Sequence, residues 1–136
     1  VPRHQGNAGF MVGILLSGLK RYHQITGDKA VAQAIVYGAN FVVQDMWMAA
    51  YAAFRYTSCP GTSPSPILNF LILEGVSYAY CLTREEKLKE VVLRGMEAGI
   101  EYMFSEGFGK SISQCIHFTP HIIYYISTCM KGNRSS

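Results

Sequence analysis

Residues 8–45 read AGFMVGILLSGLKRYHQITGDKAVAQAIVYGANFVVQD, and they divide at Thr26-Gly27-Asp28. Before the turn, Phe10, Met11, Val12, Ile14, Leu15, Leu16 and Leu19 cover more than one face of a helix. Such a helix belongs inside other helices. After the turn, Val31, Ala34, Ile35, Gly38, Phe41 and Val42 form one stripe, leaving Lys29, Gln33 and Asn40 on the wetter side. That is the pattern of an outer helix lying on an inner one. Gly27 suits the end of the first helix and Asp28 the cap of the second.

The same pattern returns 57 residues later, with a second turn at Thr83-Arg84-Glu85. At that offset Leu15 falls on Ile72, Leu16 on Leu73, Gly18 on Gly75, Asp28 on Glu85 and Gly38 on Gly95. A fixed period in this range marks stacked supersecondary units. Helix starts are marked by Ser65-Pro66 and Thr119-Pro120, because a hydroxyl caps an orphan N–H and proline at the first position loses no bond. The reading is an all-α chain of tandem helical hairpins. Helix one runs from a cap at Asn7 to about Ile25, and helix two from Lys29 to Met46. Helix three covers Pro66–Leu82, helix four Glu85 to about Phe104, and helix five Pro120 to about Lys131.

Two long connections separate these helices. Residues 47–66 hold Trp47, Tyr51, Arg55 and Tyr56, with prolines and a glycine that forbid a continuous helix. Residues 105–118 form the second, marked by Gly107 and Gly109. Long loops in a compact domain tend to carry function. The segments before Asn7 and after Gly132 read as polar and irregular.

The 136 residues suit a single domain, 49% hydrophobic and only 15% charged. The net charge of +3 is scattered, with no basic block of the kind that binds nucleic acid. No apolar run reaches the length of a membrane span, since Lys20 and Arg21 interrupt the longest candidate. The four cysteines include no CxxC pair, which disfavours a zinc ribbon or redox motif. Cys81 and Cys129 read as buried thiols. Neither a cofactor nor a metal is expected.

The stretch Gly18 to Lys29, GLKRYHQITGDK, resembles the hairpin turn of the six-hairpin glycosidase superfamily, where a tyrosine followed shortly by TGD joins an inner helix to an outer one. The resemblance implies an α/α toroid. Six hairpins need a longer chain, so residues 1–136 look like a partial toroid of about five helices, completed by the remainder of a larger chain or by a homo-oligomer. It further implies a carbohydrate site at the N-terminal ends of the inner helices. The two long connections and residues 3–7 would share that open face.

Sugar recognition needs flat aromatic rings and polar groups for hydroxyls. Trp47, Tyr51, Arg55, Asn7 and His121 are the candidates for binding. A glycoside hydrolase needs two carboxylates about 5 to 9.5 Å apart, and no pair stands out. Glu74, inside an apolar helix, must be paired or have a raised pKa. It is a candidate catalytic acid or a buried partner of a tyrosine or arginine. A polysaccharide lyase would draw its base and its uronate-neutralising group from His4, Asn7, Arg55, Tyr56, His117 and His121. The catalytic candidates are thus Glu74, Tyr56 and His117. His117 and His121 have metal-ligand spacing, but Pro120 places His117 ahead of the helix. The alternative to a carbohydrate-active domain is a non-catalytic helical-repeat scaffold or oligomerisation module, with a large exposed apolar patch. A cyclase or transferase on a related toroid ranks last, because no DDxxD-like motif is present.

Overall fold

The computed structural model describes residues 6–107 and 109–132, and the chain is all-α. Arg3 and His4, like the polar tail after Gly132, lie outside the described residues. The helices are α1 (Gly9–Thr26), α2 (Lys29–Phe41), α3 (Asn69–Thr83), α4 (Glu86–Glu106) and α5 (Gly109–Lys131). A wider π turn, Val42–Met46, extends α2, and a 3-10 turn, Pro66–Leu68, leads into α3. The two-residue strands β1 (Trp47–Met48) and β2 (Ala53–Phe54) pair antiparallel between them.

The two hairpin turns share the same backbone and hydroxyl hydrogen bonds and differ at the capping acid, since Glu85 makes no side-chain cap bond. Gly27, in the left-handed region, donates its N–H to the His23 carbonyl, and Arg84 in the same conformation donates to Tyr80. Thr26 Oγ1 donates to the Tyr22 carbonyl and accepts from the Asp28 N–H; Thr83 Oγ1 does the same with Ala79 and Glu85. Asp28 also caps α2 through the Ala30 N–H. Arg84 pays a steric penalty that Gly27 avoids; its guanidinium bonds the carbonyl of Cys129 on α5.

Helix order follows from what each face buries. α3 is buried around most of its circumference, Asn69, Glu74 and Ser77 included, and sits at the centre, packed by α1, α2, α4 and α5. Leu16 of α1 lies against Gly75, Gly13 against Leu71, and Ser17 against Glu74, so α1 and α3 run parallel. Tyr78 meets Tyr125 and Cys81 meets Cys129, so α3 and α5 are parallel too. α2 packs on α1 and α3, and α4 on α3 and α5. Within the hairpins, Gly38 admits Leu16 and Gly95 admits Leu73, two contacts related by the same 57-residue step. A β-carbon on either glycine would stand 2.8 or 2.9 Å from that leucine, which explains a helix-breaking residue at mid-helix.

Four expectations are corrected. Helix five does not begin at Pro120. It begins at Gly109 and passes through the proline, burying Ser111, Cys115, Ile122, Tyr125, Ile126 and Cys129 on one side. Packing on α3 offsets the hydrogen bond that the proline removes. The connection at 105–118 therefore shrinks to the short link around Gly107. Asn7 does not cap α1: Ala8 holds that position without a side-chain bond. Cys81 and Cys129 are joined as a disulfide rather than being free thiols. Finally, Pro66–Thr83 is long and apolar enough to cross a membrane, yet 72% of it is buried inside the protein, as a core helix is.

Candidate functional site

The N-terminal ends of α1, α3 and α5 lie at one end of the molecule, because the three helices are parallel. The 47–65 connection is fastened there. Gly9 N–H donates to the Tyr56 carbonyl, Asn7 N–H to Ser58 Oγ, and Ser58 N–H to the Asn7 carbonyl. Asn69, fully buried at the start of α3, ties the connection down: its amide donates to the carbonyls of Ala52 and Gly95, and its oxygen accepts from Phe54 N–H. Nothing in the local sequence marks Asn69 as this anchor, because its partners lie 15 to 26 residues away.

The residues selected for sugar binding are dispersed. Trp47 is half-buried, its ring 5.0 Å from Phe54 and in contact with Gly95 of α4. Tyr51 is exposed at the strand turn, whose Ala49 carbonyl accepts from Arg94 of α4. The Arg55 guanidinium is turned back onto the Pro60 carbonyl. Tyr56 is half-exposed, held through its carbonyl by the Gly9 N–H. His121 stands exposed on α5, its ring 6.2 Å from that of His117. Because α5 runs through Pro120, both histidines share the helix. Among the described residues no group of three metal-ligating side chains forms.

The catalytic candidates have three separate sets of neighbours. Tyr56 belongs to the fastened connection. His117 packs edge-on to Phe118, and the two border a groove with Ile14, Ser17, Gly18, Arg21 and Leu71. Glu74 is sealed between helices, where Oε1 accepts from Ser17 Oγ at 3.0 Å and from Lys20 Nζ at 2.7 Å. The buried-carboxylate reading thus meets a lysine partner, not a tyrosine or arginine.

Around that ion pair lies a polar chain absent from the sequence reading. Lys20 Nζ stands 5.2 Å from the centre of the Tyr125 ring. Gln24 donates to Tyr125 Oη at 2.9 Å, Tyr125 meets Tyr78 edge-on, and Tyr78 Oη shares a 2.6 Å hydrogen bond with His23 Nδ1. Burial, with Tyr125 adding to it, raises the pKa of Tyr78 above the ordinary value of 10.0. The signal that could have found this chain is the polar spacing Ser17, Lys20, Gln24 on an otherwise apolar helix. It links all three parallel helices: α1 through Lys20, His23 and Gln24, α3 through Glu74 and Tyr78, and α5 through Tyr125. Comparison with models of protein families, with curated proteins and with solved structures finds no match.

Proposed function

We propose that this chain is a module of a helical-hairpin array that works by packing its faces against other helical segments. The observation that carries the reading is the uneven covering of like helices. α3 is packed by all four other helices, whereas α1 and α5, which meet through Gln24 and Tyr125, leave aliphatic and aromatic side chains bare. Ile116, Ile123 and Tyr124 on α5 are each more than half exposed, as are Met11, Ile14 and Leu15 on α1. Contiguous apolar surface of this kind marks an interaction site. The partial α/α toroid suggested by the turn motif is one form such an array takes.

Sedimentation velocity across a wide concentration range tests this. Association that weakens with Ile123→Glu or Leu15→Glu supports the module. A monomer at every concentration that also binds no apolar dye overturns it.

A second reading is carbohydrate binding at the end where the helix N-termini gather. Its support is the pair of exposed rings, Tyr51 and Tyr56, on a connection fastened beside Asn7. A panel of neutral glycans and uronate polymers tests it, with Tyr56→Ala as the control. Binding that survives unchanged in that variant removes Tyr56 from the site.

A further inference from the structure

The bare side of α1 has a counterpart in the same molecule whose covering is visible. Met11, Ile14, Leu15 and Tyr22 are between 53 and 62% exposed. The residues 57 positions further on are Leu68, in the turn that leads into α3, and Leu71, Ile72 and Ala79 within α3, and all four are 6% exposed or less. The preceding hairpin contributes to their covering. α1 places Gly13 on Leu71 and Leu16 on Gly75, and α2 packs on α3 as well.

Gly18 adds an independent observation. Its counterpart, Gly75, is a glycine because Leu16 approaches so closely that a β-carbon would stand 2.6 Å from Leu16 Cβ. Gly18 has the same mid-helix place on α1, yet a β-carbon there would meet nothing within 4 Å, and the residue lies open in the groove that His117 and Phe118 of α5 border. Glycine weakens a helix interior, and within this chain Gly18 returns no close contact for that loss.

We propose that this side of α1 seats a further helical hairpin of the α1–α2 kind. Its apolar helix lies parallel to α1, with an aliphatic side chain over Gly18 as Leu16 lies over Gly75. The inference rests on the array reading above and names the partner of that surface. A hairpin fits better than the edge helix of a second copy, because Leu15 corresponds to Ile72 on an α3 that both α1 and α2 pack. α5 has no outer helix following it among the described residues. Arg21 adds specificity. It occupies the place of Tyr78, which bonds His23 of the neighbouring helix, so the incoming helix carries a carboxylate or amide at the position of His23.

The test is a chain in which residues 9–65 are duplicated ahead of themselves, the added copy carrying Lys20→Met and His23→Gln, because its Lys20 would otherwise face Ser17, the counterpart of Glu74, with no carboxylate to meet it. The 47–65 connection then joins the added hairpin to α1 as it joins α2 to α3. A Leu15→Cys substitution in the original α1 reports its exposure through the rate of thiol labelling. The expected result is at least tenfold slower labelling and a higher Tm than in the single chain. Gly18→Leu in the original α1 abolishes both gains but leaves the Tm of the single chain within a few degrees. Equal labelling rates in the two chains overturn the proposal, as does an added hairpin that stays protease-sensitive with no gain in Tm. If the chain self-associates while the thiol of the Leu15→Cys variant stays open, the array reading survives and the seat on α1 does not.

Discussion

Lys20 Nζ lies 2.7 Å from Glu74 Oε1, and the two side chains are 3% and 1% exposed. Glu74 Oε2 makes no hydrogen bond among the described residues. The pair joins α1 to α3 at the height where Ser17 and Glu74, 57 residues apart, face each other.

Removing one member of such a pair leaves a buried charge without its partner. Lys20→Met is expected to cost about 3–5 kcal/mol, seen as a lowered urea midpoint. Lys20→Met with Glu74→Leu should recover most of that loss, because two apolar side chains of similar volume replace both ions. A double variant no more stable than Lys20→Met alone would show that the pair does more than hold two helices in register.

The two glycines related by the repeat should respond in opposite directions. Gly75→Ala forces a methyl group against Leu16 and should destabilise the chain by roughly 1–3 kcal/mol. Gly18→Ala meets open space and should stabilise it by up to about 1 kcal/mol through helix propensity. Thermal unfolding of the two variants measures both signs in one experiment.

The Cys81–Cys129 bond closes a sequence separation of 48 residues between α3 and α5. On the chain-entropy account its loss costs about 2–4 kcal/mol. Cys81→Ala with Cys129→Ala should lower Tm accordingly, and reductant should shift the wild type but not this variant. Thiol titration of the unfolded, unreduced protein should count Cys59 and Cys115 alone.

Tyr78 gives the expected response to alkali. Its folded pKa is raised, so the folded state holds the phenolic proton where the unfolded chain releases it. The associated stability is fully present below the ordinary value of 10.0 and is lost as pH rises through the higher folded value. A denaturation midpoint followed upward from pH 9 should fall more steeply for the wild type than for Tyr78→Phe.

The residue pattern of 8–45 and its return at 66–106 determined four of the helices, their inner and outer roles, and both turns. This was possible because apolar spacing, glycine at a helix end and a capping acid are local signals. Pro120 shows where local signals stop. Thr119-Pro120 has the composition of a helix start, but Thr119 Oγ1 instead sits 3.5 Å from Cys115 Sγ, one turn back in the same helix. The buried series Ser111, Cys115, Ile122, Tyr125 and Cys129 continues on both sides of the proline and carries the helix through it.

The sequence by itself determined an all-α chain with a repeated hairpin, since each hairpin is specified by residues a few positions apart. Only the tertiary structure decided that Lys20 neutralises Glu74, that Cys81 meets Cys129, that Asn69 anchors the 47–65 connection and that Gly18 is left bare. Each of these depends on which heights of parallel helices come together. That alignment is set by the packing of α1 and α5 on α3, which no short stretch of residues encodes.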